Sequence, residues 1–96
     1  MAYITITTWE VADGTDYDIT LRGIREKRLP ALKALGASRI TVVRTSDRTS
    51  AAITEWPDKA TRDAAEQAIE EVRKKLSRED LARMTGEMKG AVVAET

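Results

Sequence analysis

Arg28 interrupts a stripe of otherwise apolar residues, Tyr17, Leu21, Ile24, Leu32 and Leu35, spaced three or four positions apart along one helical face. A guanidinium on such a face must be neutralised by a carboxylate, a backbone oxygen or the anion of a ligand. Two readings follow: the stem crosses the core edge and carries the charge to Glu55 or Asp47 at the surface, or Arg28 lines a pocket. Trp56 joins a large ring to a single N–H donor, which suits the wall of an aromatic-ligand site and equally the closing of a core edge. Trp9 carries the same two readings. Glu55 is the candidate general base, a role it can fill only if withdrawn from water. Tyr3 and Tyr17 could orient a phenolic or carbonyl group, and Arg44 could add a positive pocket wall. Glu10 and Glu55 form a carboxylate pair only if strand register brings them together.

The residue types that are missing narrow the chemistry further. The chain has no histidine, cysteine or asparagine, so imidazole bases, thiolate nucleophiles and histidine or cysteine metal ligands have no donor. There is no glycine-rich phosphate loop, GxSxG segment or HExxH helix. Asp13, Asp16 and Asp18 lack the spaced ligands, central glycine and terminal glutamate of a calcium loop, and read as turn and first-turn helix charges. The expectation is a site without metal or organic cofactor.

Charge and composition set the class. Sixteen basic residues balance 16 acidic ones, which gives no broad positive field for nucleic acid. The first 48 residues carry an excess of two positive charges and the last 48 an excess of two negative, too weak an asymmetry for a basic arm or acidic tail. With 42% hydrophobic and 33% charged residues over 96 positions, the sequence suits one soluble globular domain spanning 1–96. It contains no apolar run long enough to cross a bilayer. MAYITITTWE lacks a cationic signal-peptide start and reads as mature structure. The absence of disulfides is compatible with a cytoplasmic location, which is the expectation.

Positioning these residues requires six elements. In residues 3–11, Ile4, Ile6 and Thr8 alternate with Tyr3, Thr5, Thr7, Trp9 and Val11, a strand pattern rich in β-branched side chains. Asp13 and Gly14 turn the chain, and Thr15 or Asp16 caps a helix that runs to Gly36. Gly23 and Pro30 predict a bend or loosening within it, because Pro30 cannot donate a backbone bond to Glu26. Residues 38–45 and 49–56 alternate again as two strands joined by a hairpin at Ser46, Asp47 and Arg48, which favours antiparallel pairing. Pro57 stops the second of these strands, Asp58 caps a further helix, and Ala65, Ile69, Val72 and Leu76 form its apolar stripe through 75 or 76. Glu66, Glu70 and Glu71 with the basic run 73–75 fit an exposed helix with local ion pairs. Ser77 and Asp80 resemble a cap, Leu81 and Met84 suggest a short extra helix ending at Gly86, and the last strand is expected over roughly 87–95.

The order β-α-β-β-α-β describes an α+β, ferredoxin-like unit in which two helices cover one face of a four-stranded antiparallel sheet. The other face needs cover, so a homodimer that packs sheet against sheet is expected; the alternative is a monomer with a wet, threonine-rich outer face.

The segment Ala52-Ile53-Thr54-Glu55-Trp56-Pro57-Asp58-Lys59-Ala60 resembles the strand-end Glu-Trp pattern, acidic turn and helix of the dimeric α/β-barrel superfamily, and of its antibiotic-biosynthesis-monooxygenase-like group in particular. The resemblance extends over nearly the whole chain. It implies a homodimer with a ligand pocket between helices and sheet, and either metal-free oxidation of aromatic compounds or haem degradation. Haem-degrading members use an asparagine, a tryptophan and an axial histidine; this chain has Trp9 and Trp56 alone of that set, with Ala64 and Ala65 where a histidine often stands. The resulting expectation is a homodimeric α/β-barrel protein binding a small apolar or aromatic ligand near Trp56, Arg28, Tyr17, Trp9 and Arg44. A cofactor-independent monooxygenase-like enzyme using Glu55, and a non-catalytic interaction module, are the alternatives.

Overall fold

Strand β1, Tyr3–Val11, buries every odd-numbered side chain and leaves the even-numbered ones half-exposed, as period-two alternation requires. The computed structural model of the chain describes residues 2–12, 14–80 and 82–96, with residues 76–80 described through their backbone alone. β1 is followed by helix α1, Tyr17–Gly23, a π-helical turn, Ile24–Arg28, and helix α2, Leu29–Ala34. Strands β2, Arg39–Arg44, and β3, Thr49–Trp56, come next, then helices α3, Lys59–Ala64, and α4, Glu66–Asp80, and finally strand β4, Ala82–Ala91. The four strands form one sheet in the order β2-β3-β1-β4, with every neighbouring pair antiparallel. This is the ferredoxin-like β-α-β-β-α-β topology expected from the sequence.

Local chemistry accounts for the element ends. Asp16 caps α1 by accepting from the Asp18 N–H, and Asp58 caps α3 by accepting from the Thr61 N–H at 2.7 Å. Gly36 ends the first helical layer at φ +109°, a conformation that a side chain would strain. The loosening expected near Pro30 takes the form of the π turn: the Leu29 N–H reaches back five residues to the Ile24 carbonyl. Both ends of that turn, Ile24 and Arg28, are buried.

Three boundary expectations are corrected. The second helical segment does not stop at 75 or 76; it breaks at Ala65 and its second part continues to Asp80, so Ser77 and Asp80 lie inside a helix and not at a helix start. Met84 belongs to β4 and not to a short extra helix, while Leu81 lies outside the described residues. The last strand covers Ala82–Ala91, earlier than 87–95, because it pairs with the whole of β1 from Val11 back to Tyr3. Gly86 therefore serves as a close-approach residue opposite Thr8 and not as a helix stop: a Cβ there would lie 2.9 Å from the Thr8 hydroxyl. Asp13, read as a turn residue, also lies outside the described residues.

Register sorts the side chains by face. Tyr3, Thr5, Thr7 and Trp9 lie opposite Trp56, Thr54, Ala52 and Ser50, and these share the helix-covered side. Ile4, Ile6 and Thr8 lie opposite Glu55, Ile53 and Ala51 on the other side, and Met88 of β4 flanks Ile6 there. The core cluster of Tyr3, Ala37, Trp56, Ala65 and Ile69 lies between sheet and helices.

Candidate functional site

The inner sheet face carries hydroxyls where a plain core would carry branched aliphatics. Thr5, Thr7 and Thr54 are all buried there, while three isoleucines occupy the outer face. Two of these threonines hold the indoles. The Trp9 Nε1–H donates to the Thr7 hydroxyl at 2.8 Å, and the Trp56 Nε1–H donates to the Thr5 hydroxyl at 3.4 Å. Each ring is thereby fixed by its polar edge, as a buried donor requires.

Between the rings and the helices lies a cavity of about 30 Å³ lined by Trp9, Trp56, Arg28, Arg73 and the three threonines, among others. A space of that size admits a water molecule or two. Arg28 enters it from the π turn with 6% of its surface exposed, its guanidinium 4.3 Å from the Trp9 ring centroid. Ile24 and Arg28, four residues apart, both face inward from this turn. Arg28 is buried with its charged end over an aromatic face, and does not carry its charge out to the surface. Arg73 enters from α4 and pairs with Glu87 of β4 at 2.8 Å. No carboxylate lines the cavity among the described residues.

The structure brings Trp9, Trp56 and Arg28 to one cavity and places the other sequence candidates elsewhere. Arg44 shares the inner face of the sheet, opposite Ser50, but its guanidinium stacks 3.9 Å from the Tyr17 ring and donates to the carbonyls of Ser46 and Asp47. Tyr17 donates to the Thr49 carbonyl. These two therefore form a separate cluster beside the β2-β3 hairpin. Glu55 lies on the outer face, opposite Ile4 and Arg39. Glu10 does not approach it: six residues further along β1, it pairs with Arg83 at 3.1 Å. Tyr3 is part of the buried core cluster.

Arg62 was not legible as a site residue. Its spacing to Glu66 is that of an ordinary surface ion pair, yet its side chain is 1% exposed, and with Trp56 it is one of the two largest fully buried side chains. Nη1 donates to Glu66, the guanidinium carbon stands 5.9 Å from the Trp56 ring centroid, and Nε and Nη2 have no acceptor among the described residues. Burying a donor without an acceptor costs about 1–3 kcal/mol, more for a charged group. The hydrogen bond from Arg62 holds the Glu66 carboxyl below its ordinary value of 4.5, with Lys89 and Arg73 adding further positive charge nearby.

No group of three His, Cys, Asp or Glu residues able to hold a metal ion occurs among the described residues, and no described helix is long and apolar enough to cross a membrane.

No family profile and no curated protein matches the chain. Solved structures do. HapK from Hahella chejuensis superposes with a TM-score of 0.76 at 18% identity, over 100% of this chain and 96% of that one. SnoaB, a cofactor-independent oxygenase from Streptomyces nogalater, gives 0.75 at 13% identity, over 98% and 95%. A dimeric ferredoxin-like protein from an uncultured marine organism gives 0.69 at 15% identity, over 99% and 90%. At these identities the likeness establishes the fold: the chain has the ferredoxin-like fold of these proteins along its whole length.

Proposed function

We propose that the chain is a homodimeric α/β-barrel protein whose helix–sheet cleft binds a small apolar or aromatic molecule between Trp9 and Trp56. The observation that carries this reading is the division of residue types between the two faces of the sheet. Ile4, Ile6 and Ile53 face away from the chain's own helices, where a second copy would cover them, while hydroxyls, two indoles and Arg28 face inward around a cavity. The cavity is smaller than an aromatic ring needs, so binding requires the helices to part from the sheet. The dimeric marine ferredoxin-like protein supports the assembly by fold likeness.

Titration with 2-naphthalenemethanol tests the reading. Binding in the cleft shifts both indole N–H signals in heteronuclear NMR spectra, and shifts confined to surface amides would contradict it.

The fold likeness to SnoaB favours a second reading, a cofactor-independent monooxygenase-like enzyme. In it, oxygen would react with a carbanion of the bound substrate. Glu55 lies across the sheet from the cavity, so the proton would have to leave through an ionised group of the substrate itself. Oxygen consumption by the metal-stripped protein with a bound substrate supports this reading, whereas retention without turnover supports a carrier. A cytoplasmic location belongs to the same proposal.

A further inference from the structure

Arg62 offers a ready-made fork. Nε–H and Nη2–H, which meet no acceptor among the described residues, lie on the same edge of the guanidinium plane, the edge that makes two parallel hydrogen bonds to a carboxylate. The third nitrogen, Nη1, is already committed to Glu66, which fixes the plane. The guanidinium carbon stands 5.9 Å from the centroid of the Trp56 ring, and that ring lines the cleft, whereas Arg62 itself does not. Lys89 and Arg73 act on the same Glu66, so three cations surround that carboxylate.

Resting on the cleft proposal above, we infer that the cleft's ligand carries a carboxylate, which the Nε and Nη2 edge of Arg62 receives while its apolar body lies against Trp56. A buried planar cation whose two side-on donors meet no acceptor among the described residues matches a planar two-oxygen anion, whereas a neutral hydroxyl would fill one donor and leave the other orphaned. The helical segment after β3 breaks at Ala65, between Arg62 on α3 and Ile69 on α4, and admitting such a group requires α3 to shift about that break. No covalent step is involved.

The test compares 2-naphthoate with 2-naphthalenemethanol, which share the ring system and differ in the anion. Affinities are read by calorimetry, and the Arg62 Nε–H and both indole signals by NMR. The inference predicts that naphthoate binds about tenfold or more tightly than the alcohol, the gain expected from charge-assisted bonds. It also predicts that naphthoate alone moves the Arg62 Nε–H signal. Arg62→Lys keeps the charge but loses the fork, and should abolish the preference for the acid over the alcohol. Equal affinities in the wild type, a preference that survives Arg62→Lys, or an unmoved Nε–H signal would each overturn it. If Arg62→Lys does not fold, the wild-type Nε–H response decides. Binding of the alcohol without the acid defeats this inference and leaves the cleft reading standing; binding of neither defeats both.

Discussion

The Arg28 guanidinium lies 4.3 Å from the centroid of the Trp9 ring, and the two residues are 6% and 5% exposed. A cation over a desolvated ring face is attracted by the ring quadrupole, and the stem packs as an alkyl chain. Arg28→Met keeps much of the stem and loses the charge, and is expected to cost about 1–2 kcal/mol. Arg28→Ala loses the packing as well and should cost more than Arg28→Met. Urea midpoints measure both, and equal values for the two variants would remove the stem's share of the effect.

The threonine–indole bonds predict an order of effects. Thr7→Val removes the acceptor of a 2.8 Å bond and strands the Trp9 N–H, at an expected cost of about 1–3 kcal/mol. Thr5→Val should cost less, because the Trp56 N–H bond to Thr5 is longer at 3.4 Å. Chemical denaturation of the two variants side by side checks the order, and a larger loss for Thr5→Val would contradict it.

Acid stability follows from two carboxylates. Glu66 is held below 4.5 by its hydrogen bond from Arg62, and Asp58 below 3.8 by its backbone and side-chain bonds from Thr61. A carboxylate with a lowered folded value stabilises the fold fully above its unfolded value, and the contribution disappears as pH falls through the folded value. Stability should therefore be level in these terms above about pH 5 and decline below it. Glu66→Gln leaves the Arg62 charge buried and should cost about 2 kcal/mol near neutral pH, less than a fully buried pair because Glu66 is partly exposed. The variant should also show a shallower acid decline than the wild type, read from denaturation midpoints at pH 7 and pH 3.

Much of this arrangement was legible in the sequence because it depends on short-range alternation. Tyr3 to Val11 and Thr49 to Trp56 became strands over the expected residues, Asp58 and Gly36 punctuate helices as their types require, and Arg28 stood out as the charge in an apolar stripe. The end of the chain was read less well. The three-residue spacing of Leu81 and Met84 imitates a helix, and only pairing along β1, with Arg83 meeting Glu10, puts Met84 in a strand. Which face meets the helices could not be read from alternation alone, since both faces of β1 carry β-branched residues. Arg62 carried no signal, because burial of a charge depends on the tertiary position of Trp56.

The outer face governs assembly. Ile6 lies between Ile53 and Met88 at the middle of that face, and Met88 is 65% exposed in the single chain. Ile6→Glu places a charge there without touching the cleft, and should convert a dimer to monomers while both indole signals keep their folded positions.

Sedimentation equilibrium of the unmodified protein across micromolar concentrations decides whether two chains assemble. A homodimer gives twice the mass of one chain, falling to one chain in Ile6→Glu. A wild-type protein that stays at one chain's mass throughout would rule the homodimer out and leave the isoleucine face uncovered.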